Sequence, residues 1–458
     1  MTDIKALLSC TDTHAEIRTQ TSRGKKVSVI SGDLVGNSSS KSSGTCARVY
    51  KNGVWGFASR SGDSVNEAER LFKTACENAE LLNSRKPKNG SPLVNARPCE
   101  YIEKRTYKDV EQKTLIDFVK ALDSYIGEKY PDLVSRSVSL MTNCKEKTLY
   151  TSEGTYAYQL FPRTYAVVSL SAETSDGDTT ELFDVLGGGA GSFNDFYSDP
   201  ALLHEQIDGL YNELMLKKEG VFADAGEKLC VIDSSISGMI AHEAVGHTTE
   251  ADLVLAGSVA AANLNKQVAS PLINLTDFAN EAFGQPACLP VYVDDEGTEC
   301  TDAVIIKDGV LVGYMNDLES ALHYGMIPCG NARAFGSSDE PIIRMRNTAI
   351  HPGKDKLEDM IASVDDGYYL TRTQNGQADT TGEFMFGITM GYEIKNGRLG
   401  RALRDTTISG VAFNMLKTVD MLSDGVTWDF AGYCGKKQPM PVSMGGPAVR
   451  CKVNIGGR

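Results

Sequence analysis

Two histidines and a glutamate near the middle of the chain have the types and the spacing of a metal-dependent hydrolytic site. His242, Glu243 and His247 lie in the run ISGMIAHEAVGHTTEADLVL, which follows a short apolar strand predicted at 229–232. When two histidines on a helix flank a glutamate, the imidazoles can hold zinc and the carboxylate can activate a water molecule. These residues therefore predict a zinc site with Glu243 as its general base.

The two histidines are five residues apart, which is one more than a regular helix needs to place both on one face. Residues i and i+5 of an α-helix point about 140° apart. A single π-type turn absorbs the extra residue, and such turns are frequent at functional sites. Gly246 lowers the steric cost of an irregular backbone at this point. The spacing thus predicts a locally widened helix over 244–247.

A catalytic zinc ion normally has three protein ligands and a fourth position for water, so one ligand is missing from this segment. Three side chains are candidates for it. Glu250 and Asp252 are local, on or near the same helix, and Glu250 ranks first on that ground. Cys434 is distant in the sequence, but the glycines at 432 and 435 allow its backbone to approach closely.

Length and composition are those of an ordinary globular protein. The 458 residues exceed one typical core, which predicts two domains. The net charge of −14 disfavours nucleic acid and anionic membranes as main partners. Eleven cysteines without a C-x-x-C pair, and an N-terminus without an apolar signal segment, favour free thiols and a cytoplasmic location. The longest apolar run, 253–262, is too short to span a membrane.

The elements that must position the site alternate between strands and amphipathic helices. Asn52-Gly53 between two apolar runs predicts a β-hairpin. The polar segments 22–24 and 36–44 are interpreted as a turn and a link, and the glycines 187–189 as a flexible loop. Helices are predicted at 64–83, 110–126, 200–218 and 409–422.

The order of these elements predicts an α+β fold with mainly antiparallel sheets in two domains. The N-terminal domain, residues 1–222, would be layered from helices and strands. The C-terminal domain, residues 223–458, would be rich in strands and would carry the metal-binding helix.

The segment from Ser235 to Asp252, S-x-S-G-x-x-A-H-E-A-V-G-H-x-x-E-x-D, closely resembles the metallopeptidase signature of the TldD/PmbA family. Further matches follow in the family's order along the whole chain. They lie at 48–57, 294–297, 308–311, 330–333, 344–347 and 434–438, with a Gly-Gly pair at 456–457. Because several short motifs occur in order, the resemblance is specific.

The resemblance implies one zinc ion per chain, bound by His242, His247 and Cys434, with Glu243 as the general base. Glu250 would then orient an imidazole by accepting its free N–H instead of binding the metal. Partner-type members of the family lack the histidine motif. This chain has the motif intact and so resembles the catalytic type.

For function, the resemblance implies hydrolysis of peptide bonds in small or unfolded peptides. It also implies a homodimer, or a heterodimer with a motif-lacking family member. The alternative is a non-catalytic member of modulator type that binds peptides or proteins and whose metal is structural or absent. No motif distinguishes an endopeptidase from an aminopeptidase.

Two further charged motifs have competing interpretations. The acidic run Asp294-Asp295-Glu296 could hold a second cation. Pairing with a basic residue is the more common outcome for such a run, and Arg344 and Arg346 are the expected partners. The same two arginines are also candidates for binding a carboxylate of a peptide substrate.

Overall fold

A computed structural model describes residues 4–8, 13–62, 67–85, 92–93 and 96–456. The strands of the N-terminal half are β1 Ala15–Ile30, β2 Asp33–Lys51, β3 Val54–Ser61, β4 Glu100–Ile102, β5 Ser135–Thr151, β6 Tyr156–Glu173 and β7 Thr179–Gly189. The helices of this half are α1 Ile4–Leu8, α2 Ala68–Arg85, α3 Gln112–Lys129, α4 Phe193–Phe196 and α5 His204–Lys218, with a 3-10 turn at Pro200–Leu203.

The strands of the N-terminal half form one seven-stranded sheet in the order β3-β2-β1-β5-β6-β4, and β7 also pairs with β6. Helices cover one face of this sheet. Leu115 of α3 and Leu210 of α5 pack with Val138 and Val168 in one apolar cluster, and Leu71 of α2 packs in another. The opposite face carries polar side chains toward the C-terminal half of the chain.

The C-terminal half is built mainly from short strands. These are β8 Gly226–Ile232, β9 Leu275–Phe278, β10 Glu281–Ala282, β11 Gln285–Pro286, β12 Ala303–Lys307, β13 Val310–Leu311, β14 Ala332–Arg333, β15 Ile342–Ile343, β16 Asn347–Ile350, β17 Asp366–Ala378, β18 Glu383–Lys395, β19 Arg398–Ala402, β20 Thr406–Val411, β21 Met421–Leu422, β22 Thr427–Asp429, β23 Tyr433–Cys434, β24 Met440–Pro441, β25 Ser443–Gly446 and β26 Val449–Gly456. The helices are α6 Ser234–Met239, a π-helix Ile240–Gly246, a 3-10 turn His247–Thr249, α7 Ala251–Leu255, a 3-10 turn Val259–Ala262, α8 Leu318–Tyr324, α9 Leu357–Ala362 and α10 Ala412–Lys417.

Five strands of the C-terminal half, β8, β26, β20, β18 and β17, close into a ring because β17 pairs with both β8 and β18. A second sheet has the order β13-β12-β9-β16-β25-β22. The helical segment after β8 contacts strands of both sheets. Its apolar side chains Ile236, Ile240 and Val245 are buried in the largest core cluster. The core therefore fixes the segment that carries the two histidines.

The predicted fold class, α+β with mainly antiparallel sheets, is confirmed. Several local predictions are wrong. The segments 22–24 and 36–44, predicted as a turn and a link, lie inside β1 and β2. The predicted helix 409–422 is reduced to α10, and the glycines 187–189 end β7. The predicted start of the first amphipathic helix at residue 64 lies outside the described residues.

The acidic run at 294–296 joins the two halves of the chain. Lys147 donates to Asp295 over 2.6 Å, and the guanidinium of Arg18 lies 3.4 Å from the same carboxylate. Arg48 donates to Glu296 over 2.7 Å. All five side chains are buried. Asp295 and Glu296 are therefore paired with basic residues, and the loss of one member would leave a buried charge without its partner.

Within the part of the chain that the structure describes, no helix is both long and apolar enough to cross a membrane. The cysteines that the structure describes form no disulfide with one another.

Candidate metal centre

The segment that carries both histidines follows β8 and changes its helical type twice. It begins as α6, widens to the π-helix Ile240–Gly246 and tightens to the 3-10 turn His247–Thr249. The N–H of His247 donates to the carbonyl of His242, a bond that spans five residues instead of four. The widened helix predicted at 244–247 is confirmed, and it begins four residues earlier than predicted.

The π-helix places the two imidazoles on one face, with 5.3 Å between their ring centroids. The role of Gly246 differs from the prediction, because its backbone has ordinary helical angles (φ −54°, ψ −56°). A Cβ atom at this position would lie 2.2 Å from Sδ of Met345 and 3.1 Å from the carbonyl oxygen of Ala241. Gly246 is therefore required by close packing and not by an irregular backbone.

Cys434 lies against the two histidines although 187 residues separate it from His247. The thiol is on β23, which pairs with β24 so that Cys434 faces Met440. Its Sγ atom is 3.1 Å from Nε2 of His247. One donor atom from each of His242, His247 and Cys434 lies within 4.8 Å of the others. The structure thus brings together the three residues that the resemblance implied as metal ligands.

The electrostatics of this group favour a thiolate. Burial raises the pKa of Cys434, but its interactions with His242 and His247 outweigh burial and lower the pKa to about 3. Burial lowers the pKa of His247, whereas hydrogen bonds with Cys434 and Glu250 raise it to about 10. Metals bind the thiolate of cysteine and the neutral form of histidine, so Cys434 is already in its ligating form, whereas His247 would release a proton on binding a metal.

Glu250 contacts the other nitrogen of the same imidazole. Its Oε2 atom lies 2.8 Å from Nδ1 of His247, and its side chain is fully buried. Asp252 accepts a hydrogen bond of 2.7 Å from Nζ of Lys436, which also lies 3.3 Å from Oε2 of Glu250. Sequence position alone ranked Glu250 first as the third ligand. The structure instead places Glu250 behind His247, where it can fix the ring and its tautomer.

Glu243 lies close to the donor nitrogens of both histidines. Its two carboxylate oxygens lie 3.7 Å from Nε2 of His247 and 3.9 Å from Nε2 of His242. The side chain is 24% exposed, whereas that of His242 is 1% exposed. The carboxylate is therefore accessible to solvent, as is His247, whereas His242 is not.

The residues present fit a bound zinc ion. Both ring nitrogens of His242 are buried and have no hydrogen-bond partner. A buried polar atom without a partner is unfavourable, and a metal ion between the three donors would supply a partner for one of these nitrogens. Imidazole and thiolate are both ligands that catalytic zinc uses, and three protein ligands are the usual number in such sites.

The predictions for Arg344 and Arg346 need correction. Both side chains are fully buried, and Asp277 or main-chain carbonyls take up their hydrogen bonds, so they do not form the expected substrate-binding pair. Arg346 donates to Asp277 over 2.8 Å, and neither arginine pairs with the acidic run 294–296. Arg344 donates to the carbonyl of Cys434 over 2.6 Å. Arg344 therefore holds the loop that carries Cys434, and Arg346 is part of the core.

Lys436 was not predicted as a site residue. Its ammonium group links Asp252 and Glu250 to the loop of Cys434. The sequence feature that could have pointed to Lys436 is its position two residues after Cys434, within the motif 434–438.

Three family models match consecutive parts of the chain. They are described as PmbA/TldA metallopeptidase domain 1, central domain and C-terminal domain, and they match residues 15–79, 105–214 and 226–457. The chain belongs to the PmbA/TldD metallopeptidase family. The resemblance found in the sequence is thereby confirmed. The predicted division between residues 222 and 223 stays a prediction.

Relatives of this family member include a metalloprotease of Methanothermobacter thermautotrophicus, 30% identical over 96% of this chain and 94% of the relative. A zinc metalloprotease TldD homolog of Saccharolobus solfataricus is 28% identical over 90% of each chain. The fold is similar to that of TldE from Thermococcus kodakarensis, with a TM-score of 0.77 and 19% identity over 99% of this chain and 98% of that one. A candidate modulator of a DNA gyrase from Thermotoga maritima gives a TM-score of 0.75 at 18% identity over 97% and 95% of the two chains.

Proposed function

We propose that this family member is a zinc-dependent peptidase that hydrolyses peptide bonds in small or unfolded peptides. The observation that carries the proposal is the convergence of His242, His247 and Cys434 beside the partly exposed carboxylate of Glu243. The names of the relatives, which are metalloproteases, support the same class of reaction.

In this proposal His242, His247 and Cys434 hold one zinc ion, and a fourth position remains for water. Bound zinc would supply a Lewis acid that polarises the scissile carbonyl and lowers the pKa of water. Glu243 accepts the proton of the attacking water at a carboxylate oxygen and passes it to the leaving nitrogen. Glu250 retains the Nδ1 proton of His247, so that Nε2 presents its lone pair.

The burial of the site supports small or unfolded substrates. His242 and Cys434 are almost fully buried, whereas Glu243 and His247 are partly exposed at 24% and 21%. An extended peptide can reach such a recessed group more readily than the surface of a folded protein can. Strand addition beside the site is one way in which the chain could hold an extended substrate.

The alternative, a binding protein with a structural metal, would need a closed site. Structural zinc normally has four protein ligands. Among the described residues, the group with metal-ligand geometry has three members, and Glu250 lies on the far side of His247. The donor set therefore favours an open catalytic site over a closed structural one.

Incubation of the zinc-loaded protein with a mixed library of short peptides tests the proposed function. We expect new peptide termini, detected by mass spectrometry. We also expect cleavage to stop when a chelator removes the metal and to return when zinc is added back. A library that stays intact, or cleavage that persists in the metal-free protein, would contradict the proposal.

Replacement of Glu250 by Gln should weaken zinc binding about 10- to 100-fold, because partners of metal-binding histidines typically contribute that much. Gln keeps the shape of the side chain but removes the charge that faces Nδ1 of His247. Competition with a chromophoric chelator measures the affinity.

Asp252→Asn is the matched control for Glu250→Gln, since Asp252 contacts Lys436 and has no hydrogen bond with either imidazole. We expect Asp252→Asn to retain a larger share of the wild-type zinc affinity than Glu250→Gln does. Equal losses of zinc affinity in the two variants would show that Glu250 contributes only a negative charge near the site and not a specific contact with His247.

The peptide substrate, the homodimer or heterodimer and the cytoplasmic location all stay predictions from the sequence.

A further inference from the structure

A cavity of about 50 Å3 lies between the polar face of the N-terminal sheet and loops of the C-terminal half. Strands β5 and β6 contribute Lys145 and Arg163 to its wall, and the C-terminal half contributes Arg333. Apolar side chains, among them Phe161 and Leu289, complete the wall. Both of these apolar residues are partly exposed, so the cavity has an opening to solvent.

Arg163 has unused hydrogen-bonding capacity in this wall. Its side chain is 2% exposed, and one terminal nitrogen donates to the carbonyl of Gly432 over 3.2 Å. The guanidinium packs over the rings of Tyr165 and Tyr433. Its Nε and second terminal nitrogen are buried without any hydrogen-bond partner. A buried cation with two free donors is unfavourable unless an acceptor enters the cavity.

Lys145 is a second basic group in this wall. Its Nζ atom donates to the carbonyl of Phe335 over 2.8 Å. Burial and the nearby charges of Lys147 and Arg333 lower the pKa of Lys145, Asp295 and Asp339 offset part of this effect, and the resulting pKa is about 6, so the amine is mostly neutral at pH 7 until an anion binds beside it. An anion in the cavity would offset both effects.

The acids that line the same cavity are already occupied. Asp295 is paired with Lys147 and Arg18. Asp294 accepts backbone N–H groups, including that of Thr298 over 2.8 Å, and burial holds its pKa well above the usual value. Neither carboxylate forms a hydrogen bond with Arg163, so its guanidinium keeps two donors free in the cavity wall.

The cavity is adjacent to the candidate metal centre. Met440 and Pro441 of β24 line it, and Met440 pairs with Cys434 across the β23–β24 ladder. Paired strands lie about 5 Å apart, so the cavity wall is one strand spacing from the backbone of Cys434. An extended peptide advances about 3.3–3.6 Å per residue. A substrate bound at the metal would therefore reach the cavity within about two or three residues.

We propose that this cavity binds a carboxylate of the peptide substrate, with Arg163 and Lys145 as its cationic ligands. The carboxylate comes from the C-terminus of the peptide or from an Asp or Glu side chain close to the scissile bond. The inference rests on the proposed peptidase function. A single water molecule needs about 10–15 Å3 of such cavity space, so a cavity of about 50 Å3 has room for a carboxylate group. Its apolar walls suit the carbon atoms that carry that group.

The test uses the Glu243→Gln protein, which should bind peptides without cleaving them. Fluorescence anisotropy measures its affinity for N-terminally labelled alanine-rich hexapeptides. One pair differs only in a free or amidated C-terminus, and a second, amidated pair differs only in a Glu or Gln side chain. We expect at least one acidic peptide to bind about 10-fold more tightly than its neutral partner, because charge-assisted hydrogen bonds contribute at least that much. The pair that shows the difference identifies the source of the carboxylate.

Lys145→Gln and Arg163→Gln, each added to the Glu243→Gln protein, should abolish this preference while the affinity for the neutral peptides stays the same. Lys145 is the safer position because its side chain is partly exposed. Lys41→Gln is the control, since it removes the same charge from an exposed position on β2. Equal binding of acidic and neutral peptides, no binding of any, or a preference that survives in both variants would overturn the proposal.

The peptidase function and the carboxylate site can fail separately. If the wild-type protein cleaves peptides but shows no preference for a carboxylate, the cavity proposal fails and the peptidase remains. If acidic peptides bind preferentially but the wild-type protein cleaves none, the binding site remains and the peptidase proposal fails.

Discussion

Replacement of Glu243 by Gln is expected to lower kcat for peptide cleavage by about 10²- to 10⁴-fold, the range for loss of a general base. Gln has nearly the same shape but cannot accept a proton. Because His242, His247 and Cys434 are unchanged, zinc should stay bound in a 1:1 ratio. The experiment measures kcat and zinc content on the same sample.

Glu205→Gln is a matched control for this change. Glu205 is an exposed carboxylate on α5 in the N-terminal half of the chain, so its loss should leave kcat and zinc content unchanged. If Glu243→Gln retained most of its turnover, the water would have to lose its proton to another group. If Glu243→Gln lost zinc as well, the carboxylate of Glu243 would contribute to zinc binding in addition to its role as a base.

The sequence contained enough information to predict the unusual backbone at the site. A spacing of five between His242 and His247 is incompatible with one face of an α-helix, and the π-helix Ile240–Gly246 resolves this conflict. The prediction succeeded because it followed from helical geometry alone. The reason given for Gly246 was wrong because it depends on Met345, which is about a hundred residues away in the sequence.

Cys434 could not be placed by the same reasoning. Local spacing favoured Glu250, and only the resemblance to a family pointed to a thiol on a distant hairpin. The structure shows how both residues can serve one imidazole, because Cys434 lies near Nε2 of His247 and Glu250 near Nδ1. An imidazole can contact a different residue at each of its two nitrogens. The distance along the sequence does not show which residue contacts which nitrogen.

The errors in the fold have a related physical cause. The polar segments 22–24 and 36–44 look like turns, yet β1 pairs along its length with β2 and β5. Backbone hydrogen bonds on both sides hold β1 extended without help from its side chains. Arg344 and Arg346 were misassigned because a sequence shows charge but not burial. Inside the protein, Asp277 binds Arg346, and main-chain carbonyls accept from the terminal nitrogens of Arg344.

Replacement of Cys434 by Ala is expected to weaken zinc binding by on the order of 3 kcal/mol, or about 100-fold. Structural zinc sites with four ligands have a binding free energy of about 10–16 kcal/mol, so the loss of one ligand should remove roughly a quarter of it. Peptide cleavage should fall with zinc occupancy and should recover in part at high zinc concentration. Chelator competition gives the affinity, and activity as a function of added zinc gives the recovery.

Cys230→Ala is the control that separates ligation from burial of a thiol. Cys230 is fully buried on β8, the strand that leads into the histidine segment, and burial raises its pKa to about 12. Its loss should reduce stability but not zinc affinity, because a buried thiol whose pKa is raised by burial behaves as a small apolar group. If Cys434→Ala kept full zinc affinity while Glu250→Ala lost it, the third ligand would be Glu250. The low pKa of Cys434 would then reflect only its contacts with the imidazoles.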